Sequence, residues 1–248
     1  MYLNSPADLP KVSITVPLYA EAGSESIATD IAAALPASIK CIEATHGGKI
    51  GALPDIVVCA SDACYRKYAA TPESAAETLG ERRIIINGAK IKKEKRDAVQ
   101  LFRHELSHFY RYSHDIGFQP RWFEEGVAVW VSDGGGAENV SVQVAEKAIK
   151  AGKAVHPTLD SGFWNYLTQF PSVPDSNWHM FYRQSGMFVQ YLHDDDPIAF
   201  ARLFEALKTT KNLKEAWSIA YKKSPADIWL EFLREIQAKR SLESDQGI

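Results

Sequence analysis

Hydrophobic and polar positions in the first part of the chain repeat with two different periods. Short apolar runs at residues 12–19, 56–59 and 83–87 predict β-strands. Apolar positions at helical spacing in residues 24–35 and 62–70 predict helices between these strands. Strands that alternate with helices indicate an α/β half, which ends near Arg96.

A longer helix is predicted at residues 97–112. Phe102, Leu106 and Phe109 repeat at i, i+4 and i+7, which places them on one helix face. The rest of the chain is predicted to be mainly helical. We therefore expect an α+β fold in one domain, 1–248, with an α/β half (1–96) followed by a helical half (97–248). The stripe beside the apolar face of the long helix carries Leu101, His104, Glu105 and His108.

This stripe has the spacing of a catalytic zinc site. His104 and His108 lie one turn apart on a helix of about 3.6 residues per turn, so both imidazoles can reach one metal ion. Glu105 lies beside them, where its carboxylate can take a proton from a metal-bound water. The run His104-Glu105-Leu106-Ser107-His108 therefore indicates metal-assisted hydrolysis. The alternative is a buried helix whose histidines are hydrogen-bonded core groups.

A catalytic zinc site usually has three protein ligands, so a further ligand is expected downstream. His114 extends the motif to a spacing that resembles the metzincin pattern. However, Arg111 stands where that family carries glycine, and a side chain adopts the required positive-φ turn only at a cost of about 1 kcal/mol or more. No convincing methionine turn follows. His114 remains the alternative third ligand.

A second helix is predicted from Pro120 onward, and its sequence resembles the gluzincins, a class of peptidase-MA-like zinc peptidases. Residues 122–128 have the order Trp-aromatic-x-Glu-Gly-x-Ala, in which the glutamate before the glycine binds zinc. The resemblance implies that Glu125 is the third ligand and that Glu124 points elsewhere. The 16 residues between His108 and Glu125 leave room for a loop and a reversal of direction. The small residues Gly126 and Ala128 are then expected where the two helices approach each other.

Residues 180–192 are similar to the Tyr-x-Gln-Ser helix of the same peptidases, and the matching tyrosine is Tyr182. The resemblance implies that Tyr182 donates a hydrogen bond to the tetrahedral intermediate. The alternative is a core aromatic side chain at helical spacing. The resemblance also implies a zincin-like fold with an active-site cleft between the two halves. In gluzincins the strand before the metal helix forms a sheet edge that binds substrate, so residues 83–87 are either such an edge or an interior strand.

The function implied is a zinc metallopeptidase with one Zn²⁺ per chain. His104, His108 and Glu125 would hold zinc, Glu105 would be the general base, and a peptide or protein would be the substrate. No Gly-x-Met-Glu-Asn motif for a free N-terminus is present, which favours an endopeptidase. The alternatives are a zinc protein that binds peptides or a partner without cleaving them, and a zinc hydrolase that acts on other bonds.

Composition limits the partners and the location. The net charge of -3 argues against nucleic acid as a partner, and no run of 18 apolar residues predicts a membrane segment. The oligomeric state is not predicted. Cys59 and Cys64 are five residues apart and are either a local disulfide or two free thiols. This spacing favours an extracytoplasmic setting for a chain whose leader has been removed, with the cytoplasm as the alternative.

Overall fold

Four β-strands and eleven α-helices account for most of the described part of the chain. The structure is a computed structural model that describes residues 4–13, 15–168 and 178–245. It divides into two compact units. The first unit consists of Met1–Asp115 and Val131–Gly135, and the second consists of Ile116–Trp130 and Gly136–Ile248. In chain order the elements are β1 (Leu18–Ala20), α1 (Glu25–His46), β2 (Asp55–Cys59), α2 (Asp62–Tyr68), β3 (Ala76–Leu79), β4 (Arg83–Asn87), α3 (Gly88–Glu94), α4 (Ala98–Ser113), α5 (Arg121–Val131), α6 (Val142–Lys150), α7 (Phe163–Thr168), α8 (Trp178–Asp195), α9 (Pro197–Thr210), α10 (Leu213–Ala220) and α11 (Pro225–Asp245).

The first unit contains a four-stranded sheet in the order β1-β2-β4-β3. The first three strands in this order are parallel, and β3 pairs antiparallel with β4. All five residues of β4 are buried, as are four of the five residues of β2. A strand that is covered on both faces has a continuous run of apolar residues, and for this reason the sequence predicts both β2 and β4.

The possibility that residues 83–87 form a free edge is wrong. β4 lies between β2 and β3, with Ile84 opposite Ile56 on one side and Thr78 on the other. The edge strand next to it is β3, for which the sequence gives no strand signal. Only Ala76 of its four residues is buried, so the apolar pattern that marks the other strands is absent.

Helix α1 continues beyond the predicted end at residue 35. Its buried side chains recur every three or four residues past Pro36, through Ser38 and Ile42 to His46. This continuous buried stripe outweighs the hydrogen bond that a proline removes from a helix interior. The helix ends where Gly47 adopts a left-handed conformation with φ 74°.

Helix α4 confirms the prediction for residues 97–112 to within one residue at each end. The carboxylate of Asp97 caps it by accepting hydrogen bonds from the backbone N–H groups of Val99 and Gln100, at 2.8 and 2.9 Å. Phe102, Leu106 and Phe109 are buried, as their spacing requires.

In the second unit, α5 and α8 pack together through two glycines. A Cβ atom on Gly126 would lie 2.7 Å from the carbonyl oxygen of Ser185, and one on Gly186 would lie 2.6 Å from a methyl group of Val129. The close approach that Gly126 permits is therefore to α8, and the expectation that it faces the helix of the two histidines is wrong. Trp122 packs against Phe188 beside this contact, with ring centroids 5.3 Å apart.

The coarse prediction of an α+β chain, with its sheet in the N-terminal part and a helical C-terminal part, is confirmed. Within the described residues, no helix combines the length and the hydropathy that crossing a membrane requires.

Candidate metal centre

Helix α4 presents the two histidines on one face. His104 is buried, His108 is half-buried, and their Nε2 atoms lie 3.2 Å apart. Residues four apart on a helix are neighbours, so this convergence follows from the spacing alone. Two imidazole nitrogens at this distance form one half of a tetrahedral metal site.

The tautomer of His104 is set by a backbone carbonyl. Its Nδ1 lies 2.9 Å from the carbonyl oxygen of Gly135, which can only accept, so Nδ1 carries the proton and Nε2 has the lone pair. Gly135 belongs to the segment after α5 and approaches α4 closely. A Cβ at this position would lie 2.5 Å from the carbonyl oxygen of Gln100, so only glycine fits.

Glu125 lies in the first half of α5 and is buried, with 4% of its surface exposed. The hydroxyl of Tyr166 donates a hydrogen bond to its Oε1 atom at 3.2 Å. Burial raises the pKa of Tyr166, and the nearby Glu125 and Glu124 carboxylates raise it further. The tyrosine therefore stays protonated and acts as the donor.

His104, His108 and Glu125 together form a group that can hold a metal ion. Each offers one ligand atom, and these atoms all lie within 4.8 Å of one another. Two imidazoles and one carboxylate are a donor set suited to zinc, and three protein ligands leave a position for water or substrate. The residues present thus fit the metal that the sequence motif implies.

Glu105 points its carboxylate to the edge strand of the sheet. The Thr78 hydroxyl on β3 lies 2.7 Å from Glu105 Oε2 and 2.8 Å from the Glu105 carbonyl oxygen. A hydroxyl has one proton, so these two acceptors share it. Glu105 is 8% exposed, and the contact restrains the orientation of its side chain.

The alternative ligands lie in other environments. The ring of His114 stacks on Tyr110 with centroids 3.8 Å apart, and its Nδ1 donates to the Tyr110 carbonyl oxygen at 2.9 Å. The Oε1 atom of Glu124 accepts a hydrogen bond from the backbone N–H of Gln119 at 2.6 Å. Among the described residues, neither side chain belongs to a group with metal-ligand spacing.

Tyr182 lies in the first half of α8 and is half-buried. Its ring is 6.0 Å from that of Trp178, and it lies near enough to Tyr166 to contribute to the raised pKa of that residue. Its predicted role as a hydrogen-bond donor to the intermediate stays a prediction. His179 lies three residues before Tyr182 in the same helix, and its Nε2 atom is 3.2 Å from the side-chain amide of Asn139.

A third histidine, His46, is buried beneath α4. Its Nε2 lies 3.1 Å from the Ser107 hydroxyl, and its ring stacks on Tyr110. Burial, together with the nearby charges of His114, His108 and Arg111, lowers the pKa of His46 to about 3. His46 is therefore a neutral hydrogen-bonded core group, the role considered above for the two motif histidines.

A second set of close side chains contains Glu21, Cys59 and Cys64. The two cysteines are joined by a disulfide, so their sulfur atoms are already bonded to each other. Glu21 accepts hydrogen bonds from the backbone N–H groups of Ala60 and Ser61, at 2.7 and 2.8 Å, and thereby stabilises the turn into α2. Cys41 is a free thiol.

The sequence did not predict three contacts to the motif residues, which are made by the Thr78 hydroxyl, the Gly135 carbonyl and the Tyr166 hydroxyl. The run Gly134-Gly135-Gly136 is the one signal in the sequence for such a contact, because glycines permit close backbone approach. Thr78 and Tyr166 have no comparable signal, because their partners lie 27 and 41 residues away.

A comparison with models of known protein families finds no match to this chain, and a search of curated proteins finds none either. The resemblance to gluzincins therefore stays a prediction from the short motifs at residues 104–108, 122–128 and 182–185.

Proposed function

We propose that this protein is a zinc-dependent metallopeptidase of gluzincin type, with a zincin-like fold, that cleaves peptide bonds within a chain. One observation supports the proposal above the others. The ligand atoms of His104, His108 and Glu125 lie within 4.8 Å of one another, although Glu125 is distant from the histidines in sequence. A motif that matches by chance is not expected to have a buried third ligand of the right chemistry beside it.

The groups around the ligands support the same proposal. The Gly135 carbonyl holds His104 in the tautomer that leaves Nε2 able to bind a metal. The Tyr166 hydroxyl binds the carboxylate of Glu125. Hydrogen-bond partners of this kind orient metal ligands in zinc proteins.

Zinc held by these three residues would polarise the scissile carbonyl and lower the pKa of water to about 7. Glu105 is the general base in the proposal: a carboxylate oxygen accepts the proton of the attacking water and then transfers it to the leaving amine nitrogen. Thr78 restrains this carboxylate through its hydrogen bond to Oε2. Tyr182 is proposed to donate its hydroxyl proton in a hydrogen bond to the oxyanion.

The first experiment measures zinc per chain after dialysis in a metal buffer. The native protein is compared with Glu125→Ala and with His114→Ala prepared in parallel. We expect one zinc ion in the native protein and in His114→Ala, and loss of zinc from Glu125→Ala. If only His114→Ala loses zinc, the metzincin arrangement replaces the one proposed. A native protein that binds no zinc overturns both.

The second experiment separates a peptidase from a zinc protein that binds without cleaving. The native protein and Glu105→Gln are incubated with a mixed peptide library, and new chain ends are identified by mass spectrometry. We expect internal cleavage by the native protein, and a rate lower by about 10²- to 10⁴-fold in a Glu105→Gln variant that still holds zinc. Bound zinc without cleavage of any peptide would favour the non-catalytic alternative or a zinc hydrolase with other substrates.

We also propose that the protein works in an oxidising compartment. The disulfide between Cys59 and Cys64 supports this, because such bonds persist mainly in secreted and periplasmic proteins.

A further inference from the structure

Helix α7 brings a tyrosine to the carboxylate of Glu125. The Tyr166 hydroxyl donates to Glu125 Oε1 at 3.2 Å across a sequence separation of 41 residues. Both residues belong to the same compact unit of the structure. Neither the zinc motif nor the gluzincin resemblance assigns a role to this tyrosine.

The position of Tyr166 is set by hydrogen bonds that join its segment to the residues before and at the start of α5. The backbone N–H of Gly162 donates to the carbonyl oxygen of Phe118 at 2.8 Å. The indole N–H of Trp122 donates to the carbonyl oxygen of Thr158 at 2.7 Å. These two hydrogen bonds fix residues 158–162 to residues 118–122. Glu125 lies one turn beyond Trp122 in helix α5.

The ring of Tyr166 is held from two sides. The guanidinium carbon of Arg121 lies 4.1 Å from its centroid, a favourable cation–π distance. The ring of Phe118 lies against it with centroids 5.2 Å apart. With the ring held in this way, the hydroxyl oxygen stays beside Glu125, and its proton can be donated to Oε1.

The carboxylate of a glutamate is attached through two methylene groups and rotates easily, whereas a metal ligand must hold one orientation. A fixed hydroxyl that donates to one carboxylate oxygen restricts this rotation before the metal arrives. Partners of this kind are worth about 10- to 100-fold in metal affinity in zinc proteins. The Gly135 carbonyl is the hydrogen-bond partner that orients His104, and the Tyr166 hydroxyl is the corresponding partner of Glu125.

We propose that Tyr166 is a positioning residue for Glu125, and that the affinity of the site for zinc depends on its hydroxyl. The inference rests on the proposed zinc site. Tyr166 acts on the ligand, whereas Tyr182 is proposed to act on the intermediate. The two tyrosines are therefore expected to affect different quantities, zinc affinity in the first case and turnover at saturating zinc in the second.

The test compares Tyr166→Phe with Tyr191→Phe, which removes a hydroxyl from a half-buried tyrosine of α8 that packs on Phe232. The zinc dissociation constant is measured by competition with a chromophoric chelator. Thermal unfolding of the metal-free proteins shows whether either variant is damaged in its fold. We expect Tyr166→Phe to bind zinc about 10-fold or more weakly, with a native melting temperature and with turnover restored by excess zinc. Tyr191→Phe is expected to bind zinc like the native protein.

Equal zinc affinity in Tyr166→Phe and the native protein overturns the inference and leaves the proposed zinc site in place. Weaker binding to the same extent in both variants also overturns it, because the effect is then not specific to Glu125. A lower turnover of Tyr166→Phe that excess zinc does not restore, at native affinity, assigns the tyrosine to catalysis instead. A native protein that binds no zinc overturns both the inference and the proposed function.

Discussion

The hydroxyl of Thr78 lies 2.7 Å from the Oε2 atom of Glu105 and joins the edge strand β3 to the proposed general base. This contact connects the sheet to helix α4 within one compact unit. A carboxylate that must accept and return a proton has to keep its position throughout the reaction. If Glu105 is the general base as proposed, the hydrogen bond from Thr78 is one restraint of this kind.

Replacing Thr78 by valine removes the hydroxyl and keeps the shape of the side chain. We expect kcat/KM to fall by about 10-fold, because a poorly oriented base loses part of the 10²- to 10⁴-fold that such a group contributes. Zinc content should not change. Thr78→Ser retains the hydroxyl and should keep most of the activity. Equal rates for Thr78→Val and the native protein would show that the hydrogen bond has no catalytic role.

The contact between α5 and α8 predicts a strong effect of adding one methyl group. In Gly126→Ala the new Cβ would lie 2.7 Å from the backbone oxygen of Ser185, which cannot move without moving the helix. Overpacking of this kind costs about 1–3 kcal/mol of unfolding free energy. Gly51→Ala is the control, since nothing lies within 4 Å of its Cβ position. Urea unfolding of both variants measures the difference, and equal midpoints would contradict the close approach.

His46 predicts that the protein becomes less stable in acid. Its pKa is about 3 in the folded state and about 6.5 in the unfolded chain, because burial disfavours the charged form. Above pH 6.5 the histidine has no effect on stability. As the pH falls from 6.5 towards 3, the unfolded state binds a proton that the folded state does not, and stability decreases by at most about 1.4 kcal/mol per pH unit.

The measurement is urea unfolding of the metal-free protein between pH 4 and pH 8. His46→Gln retains a group that can hydrogen-bond to Ser107 and cannot be protonated in this range, so its stability should depend less on pH. The exposed His156 is the control, and His156→Gln should follow the native curve. Parallel curves for the native protein and His46→Gln would mean that His46 is not a buried neutral group.

The disulfide predicts a specific thiol count. The chain has three cysteines, and with Cys59 bonded to Cys64 only Cys41 can react with a thiol reagent in the denatured, unreduced protein. Reduction before the assay should raise the count from one to three. The protein should be prepared from an oxidising compartment, since the cytosol keeps thiols reduced. Three reactive thiols without reduction would contradict the bond.

Local patterns were sufficient for the elements whose stability depends on their own residues. Helix α4 has a capping aspartate, an apolar face and a polar stripe, all within 17 consecutive residues, and it was predicted to within one residue. Strand β4 has the same bounds, residues 83–87, that its apolar run predicts. Strand β3 was missed because its sequence, Ala-Glu-Thr-Leu, becomes a strand by pairing with β4. Pairing between strands is a tertiary property, which a single segment does not display.

The spacing of His104, Glu105 and His108 by itself determined that two imidazoles converge and that a carboxylate lies beside them, because helix geometry relates residues four apart. Only the tertiary structure brings a ligand atom of Glu125 within 4.8 Å of theirs, and among the described residues neither His114 nor Glu124 belongs to that group. It also decided that Gly126 faces α8 and that Thr78, Gly135 and Tyr166 hold the motif residues. The physical reason is that a helix fixes its own periodicity through local hydrogen bonds, whereas contacts between distant segments depend on how whole elements pack.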